Sequence, residues 1–282
     1  MRQAQLLKHI AALAALAAGP ACAASFECLI QPNQIVEIRS PAAGLISKVR
    51  VQRGDSVKTG QVLVELESSV ETSAAQMAKF HAEMAGRIAA ATERLQYASV
   101  KLDRANEMHK ENFVAAQARD DAQAEMRVAQ ADLKDARENQ QLARLDYQHA
   151  LDQLNLRTLR SPFNGVVMDR MLNPGELTQY GGETKPILKL AQIDPLRVEV
   201  VLPVEYFGKL ALGMKGEVTP EVLGGRYTAT VKVIDHVFDA ASGTFGVRLE
   251  LPNRQHAIPG GLRCQVEFAQ LKPPERRPLP QK

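Results

Sequence analysis

The sequence predicts an elongated, mainly-β protein with an α-helical hairpin inserted into it. Three observations carry that prediction. A short motif is written twice, as Arg39-Ser40-Pro41-Ala42-Ala43-Gly44 and as Arg160-Ser161-Pro162-Phe163-Asn164-Gly165. Between the copies, apolar residues recur in steps of four and three, the period of a coiled coil. After the second copy come short alternating segments separated by glycines, the pattern of a small β-barrel.

Each copy reads as half of a β-sandwich. In the first, Ile35-Val36-Glu37-Ile38 is a strand stopped by Ser40-Pro41, and Gly44 occupies a turn position that calls for positive φ. A second strand runs from Leu45 to Val51. Arg53-Gly54-Asp55 turns the chain, and Gly60 precedes the strand Val62-Leu63-Val64-Glu65-Leu66. The second copy repeats this order through Gly165, Gly175 and Gly181. The Arg53-Gly54-Asp55 triplet is a turn rather than an adhesion signal, because the second copy places Pro174-Gly175-Glu176 there. Neither half can bury a core alone, so residues 34–67 plus 156–192 are expected to fold as one split domain.

Residues 68–155 form the hairpin. Ser68 and Glu71 have capping-box spacing at its start. One stripe runs through Val70, Ala74, Met77, His81, Met84, Ile88 and Ala91 to Ala105; the other runs from Ala122 through Leu133 and Gln140 to Leu154. The phase changes between Met108 and Ala118, as a reversal of direction requires. No Pro or Gly lies between Arg87 and Ser161, so two nearly unbroken helices are expected, each about 60 Å long. His81 and Gln140 are polar stripe members that would fix register. Arg104, Met108, Asn112, Phe113, Val114 and Ala115 gather at the tip. They either face a partner, or Phe113 and Val114 plug the hairpin end.

Ile193-Asp194-Pro195 reads as a linker into the barrel, which takes residues 24–33 plus 193–270. Residues 271–282, rich in Pro and Arg, read as a disordered tail.

Composition and termini bound the function. The 282 residues are 24% charged with a formal net charge of +3, and no basic stripe points to nucleic acid. Aromatics are 5% and Trp is absent, which suits thin domains. Arg2 and Lys8 give a positively charged start ahead of an apolar run from Ile10 to Ala18, and Ala21-Cys22-Ala23 has the form of a cleavage site. Residues 1–23 thus read as a signal peptide cleaved after Ala23; the alternative makes Cys22 a lipidated N-terminus, although Gly19 stands where such signals carry Leu. The run is shorter than the roughly 20 residues that span a bilayer. Cleavage leaves Cys28 and Cys264, which either pair in an oxidising compartment or stay buried as small apolar residues. With no C-x-x-C and no His at ligand spacing, metal is not expected at either Cys. No nucleotide-binding, hydrolase or metalloprotease motif occurs, so neither enzyme chemistry nor a cofactor is expected.

In both copies a Pro-x-x-Gly turn, a strand and a Gly-acid turn follow in order. This resembles the split lipoyl/biotinyl-like domain of periplasmic adaptor proteins, the membrane fusion proteins of the hemolysin D type. The resemblance covers nearly all of the chain after Ala23. True carrier domains place a modifiable Lys between the halves; Glu67-Ser68-Ser69 stands there, so no lipoyl or biotinyl group is implied. The tip is similar to that of adaptors of resistance-nodulation-division pumps, which read Arg, Leu four residues on, then Ile-Ser past the turn. Arg104 and Met108 match the first two places and Val114-Ala115 the last, with Ala losing the serine hydroxyl. The resemblance implies a non-enzymatic periplasmic adaptor, associated with the inner membrane and self-associating into a ring. Its tips would meet an outer-membrane channel and its barrel an inner-membrane transporter, which would set the substrate. Many adaptors carry a further membrane-proximal domain, and no stretch for one follows residue 270. The alternatives are a carrier component with a swinging cofactor and a stand-alone exported coiled-coil binding module without a pump.

Overall fold

The computed structural model describes residues 24–179 and 185–271. The signal segment, Gly181 and the tail beyond Leu271 lie outside the described residues.

Two long strands organise the β-structure. β1 (Ser25–Ile38) and β8 (Leu188–Pro203) pair antiparallel over most of their length. Ile193-Asp194-Pro195, expected as a linker, therefore lies inside a continuous strand. Leu196, Val198, Val200 and Leu202 point alternately into a core, which is why the strand persists past the proline. The register shifts between Pro32 and Gln34, where Asn33 and Gln34 donate side-chain hydrogen bonds to Gln192 Oε1 at 3.1 and 3.0 Å.

Beyond that irregularity the strands feed a closed barrel. In it β1 pairs β12 (Leu262–Glu267), which pairs β9 (Lys215–Pro220), then β10 (Tyr227–Ile234), β11 (Thr244–Leu251) and β8, which returns to β1. Ile30, Leu196, Val198, Leu249, Val266 and Phe268 fill its interior. Leu271 is buried in the same core and its carbonyl accepts from Ala24 N–H, so the chain stays packed one residue into the expected tail. Cys28 and Cys264 sit opposite each other in the β1–β12 register and are joined by a disulfide.

On the other side of the shift, β8 pairs β6 (Gly165–Arg170), which pairs β3 (Ser56–Val57). A second sheet runs in the order β5 (Thr158–Arg160), β4 (Val62–Leu66), β2 (Gly44–Val49), β7 (Leu177–Thr178). One core joins both halves: Ile46, Leu63 and Leu66 pack with Phe163, Val167 and Leu190.

The duplicated motif closes this unit reciprocally. Gly54 N–H donates to Val167 O at 2.9 Å, and its counterpart Gly175 N–H donates to Ile46 O at 2.8 Å. Val167 N–H returns to Asp55 O, and Ile46 N–H to Glu176 O, both at 2.9 Å. Gly54 and Gly175 hold φ of 92° and 90°, and Gly60 holds 80°, where a side chain would be strained. Each motif serine repeats one contact: Ser161 Oγ donates to Phe163 O at 2.7 Å, and Ser40 Oγ to Ala42 O.

Gly44 corrects the expectation of a positive-φ turn. It begins β2 with ordinary backbone, and a Cβ there would lie 2.7 Å from the Arg157 guanidinium, which would have to move aside.

The helical insertion has one arm in two pieces, α1 (Ser69–Glu83) and α2 (Gly86–Lys110), and one unbroken arm, α3 (Ala116–Asn155). The arms run antiparallel, since Lys101 reaches Glu125 while Gln140 reaches back to Met84. The α3 stripe holds, with Ala122, Ala129 and Leu133 buried. The first arm departs from the expected unbroken helix: Met84 is extended at ψ 112°, and helix resumes at Gly86. The break shifts the seam by one residue. Ala91 and Ala98 of the expected stripe are buried in α2, but in α1 the buried residues are Ala75 and Ala82, leaving Met77, His81 and Met84 exposed. Gln140 Nε2 donates to the Met84 carbonyl at 3.4 Å, a group freed by the break. The Ser68 side chain makes no cap bond; Glu67 Oε1 instead accepts from Ser69 N–H at 3.1 Å, and hydrogen bonding from the Ser69 side chain and then its N–H holds the Glu67 carboxyl below the ordinary range.

Candidate docking site at the hairpin tip

The tip is built by a helix C-terminus. Asn112 has φ 62°, and its N–H donates to His109 O at 3.0 Å, while Phe113 N–H donates to Met108 O at 2.8 Å. This pair of bonds is a Schellman closure with Asn in the left-handed position. The sequence carried the signal, since Asn is the residue after Gly that most readily adopts that conformation. His109, which sequence reading did not flag, shares its ring Nδ1 with the Val114 carbonyl at 3.1 Å, tying the reversal to the last turn of α2. Ala115 is extended at ψ 153°, and α3 begins after it.

Phe113 is 73% exposed and does not plug the hairpin end; Met108 is 47% exposed, and Val114 is half-buried. Arg104, Asn112 and Ala115 are exposed, and Arg104 makes no ion pair among the described residues. The exposed cations Arg104 and Lys110 and the exposed apolar side chains Met108 and Phe113 therefore gather around a hydrogen-bonded cap. Below it, the Glu125 carboxylate, 2.6 Å from Lys101 Nζ, ties the arms and holds that amine above its ordinary range. Replacing Asn112 by Gly is expected to leave stability within a few tenths of a kcal/mol, whereas Asn112→Val should lower it by about 1–2 kcal/mol. Urea unfolding of the two variants checks this.

The base of the hairpin holds a residue that sequence reading missed. Arg157 follows α3, pairs with Glu71 of α1, and donates to Ala43 O at 2.7 Å. Its own carbonyl accepts from Leu66 N–H at 2.8 Å. One side chain thus clasps the first helix, the last helix and the first half-motif. No motif marks it, because its partners come together only in three dimensions.

Among the described residues there is no group of three or more His, Cys, Asp or Glu able to hold a metal ion, and no helix long and apolar enough to cross a membrane.

Comparison with known proteins places the architecture. The chain is 26% identical over 239 residues to the multidrug resistance protein MdtE of Escherichia coli, covering 79% of this chain and 57% of that protein. It is 23% identical over 225 residues to the cobalt-zinc-cadmium resistance protein CzcB of Cupriavidus metallidurans, covering 80% of this chain and 40% of that one. The chain spans about half the length of these curated relatives. Its fold is similar to the crystal structure of MacA from Actinobacillus actinomycetemcomitans, with a TM-score of 0.71 at 19% identity over 87% of this chain and 78% of that one. The membrane fusion protein Spr0693 of Streptococcus pneumoniae gives 0.60 at 19% identity, over 87% of this chain and 98% of that one. The model of the CzcB-like barrel-sandwich hybrid domain matches residues 34–191, from the half-motif strand of β1 through the hairpin into β8. That is more than half of the sequence, and the chain belongs to the CzcB-like barrel-sandwich hybrid family.

Proposed function

We propose that the chain is a non-enzymatic periplasmic adaptor of a tripartite efflux or secretion complex, linking an inner-membrane transporter to an outer-membrane channel. The observation that carries this reading is the tip: Met108 and Phe113 are exposed on a rigid cap at the end of a clasped hairpin. A solvated loop would gain nothing from holding a phenyl ring out in water, whereas a docking end would. Family membership and the efflux names of its relatives support the same reading. Those names differ in substrate, consistent with a substrate set by the transporter.

Self-association into a ring is part of the proposal. Phe80, Met84, Leu142 and Leu145 are exposed on the hairpin flanks, in part because of the one-residue seam shift. Side-by-side copies would cover them.

The test is a photo-crosslinker at position 113 in cells. It is expected to trap an outer-membrane channel, and Phe113→Asp is expected to fold with unchanged stability yet fail to restore export in a deletion strain. No trapped channel, together with unchanged drug, metal and export phenotypes on deletion, would favour a stand-alone coiled-coil module.

A further inference from the structure

The break in the first helical arm leaves three metal-ligating side chains outside the seam. Met77 is 65% exposed, Met84 is 52% exposed and His81 is exposed. Packing between the arms accounts for none of them, because α1 buries Ala75 and Ala82 instead. Their spacing is i, i+4 and i+7, which returns to one face of a helix and sets neighbouring Cβ atoms about 5–6 Å apart. Met84 ends α1, yet its φ of −64° is still helical, so its side chain leaves from that same face; only its ψ of 112° turns the chain away.

The surroundings suit a cation. Met77 and His81 line a groove between the arms with Asn139, Leu142 and Asp146 of α3, and Asp146 brings a negative charge to it. Lys79 and Glu83 pair with each other at 3.8 Å, on the opposite side of α1. The Phe80 ring meets the His81 ring edge-on at 6.3 Å, and no hydrogen bond engages either imidazole nitrogen among the described residues. We propose that Met77, His81 and Met84 form a three-coordinate site for a soft monovalent cation of the Cu(I) or Ag(I) class. Thioether sulfurs carry no proton and no charge, and together with imidazole they are donors that such ions select. Zn(II) instead takes thiolates, several imidazoles or carboxylates. Two ligands stand on α1 and the third at the break itself, so a bound cation also fixes the break.

Ag(I) is the probe, since it needs no reductant and leaves the Cys28–Cys264 disulfide intact. A Cys22→Ser background removes the other cysteine. Met84 also lies on the flank assigned above to neighbouring copies, so the purified chain is kept dilute and monomeric. With carbon-labelled methionine methyls, Ag(I) is expected to bind one per chain and to move the two resonances that Met77→Leu and Met84→Leu remove. The double variant Met77→Leu/Met84→Leu should bind roughly a hundredfold more weakly and His81→Gln roughly tenfold more weakly. These positions are exposed, so circular dichroism of the variants should match the parent. Met168→Leu with Met171→Leu, at exposed sandwich positions, should leave binding unchanged. Tryptic cleavage at Arg87, just past the break, should slow when Ag(I) is added. If all exposed methionines respond alike, or the double variant binds as the parent does, the proposal fails. Zn(II) binding as tightly as Ag(I) overturns it in favour of His81 with Asp146, and methyl shifts that follow protein concentration rather than Ag(I) overturn it in favour of a second copy. The assay contains no transporter or channel, so its result is separate from that of the adaptor reading.

Discussion

Gly165→Ala is expected to destabilise the protein by at least about 3 kcal/mol, with a fall in Tm of about 6–12 °C. A Cβ at this position would lie 2.3 Å from the Ala191 carbonyl oxygen and 3.0 Å from the Phe163 ring. Both obstacles belong to the domain's centre: Ala191 is in β8, which carries the register of both β units, and Phe163 is buried in the shared core. Backbone cannot yield here without separating β6 from β8. Gly54→Ala is the control. Its Cβ would meet nothing, so only the positive φ opposes it, and it should lower stability by about 1–2 kcal/mol. Thermal and urea unfolding of both variants checks the order; equal losses would mean that the close approach at Gly165 relaxes freely.

Arg157→Leu is the second large effect, expected at about 2–3 kcal/mol. The Arg157 and Glu71 side chains are 20% and 18% exposed, so removing the guanidinium strands a largely buried carboxylate and takes a donor from the Ala43 carbonyl. The figure lies below that for a fully buried pair because water still reaches the site. Adding Glu71→Leu should recover part of the loss, since the pair's absence is less harmful than a lone charge. The distinguishing readout is local: limited proteolysis should accelerate at the hairpin base near residues 67–71 and 155–158, leaving the barrel intact. Gly44→Ala should weaken the same clasp, because its new methyl would displace the guanidinium.

The barrel-sandwich domain and its inserted helical arms were legible in the residues because the signals are periodic or repeated. The α3 stripe from Ala122 to Leu154 fell on the buried face because nothing interrupts that helix. The equivalent reading failed at Val70, Met77 and Met84 because the heptad runs through Gly86 while the backbone does not. A heptad states which residues would share a seam if the helix continued, and it cannot register one that stops. Similarly, Ser68-x-x-Glu71 has the spacing of a cap, but Arg157 offers Glu71 an ion pair that a distant stretch of sequence cannot announce.

The tip divides in the same way. Its location follows from the phase change alone. Whether Phe113 faces inward or outward depended on the cap formed by Asn112, whose left-handed backbone turns the next residue away from the arms.

By itself the sequence determined the duplicated half-domain, the hairpin between the halves and its point of reversal, because local spacing encodes periodicity and turns. Only the tertiary structure decided that β1 and β8 run unbroken through two β units, that Arg157 clasps the hairpin, and that Gly44 and Gly165 serve close approach rather than unusual φ. The physical reason is that each of these rests on contacts between segments distant in sequence, where neither partner carries a local signal of the other.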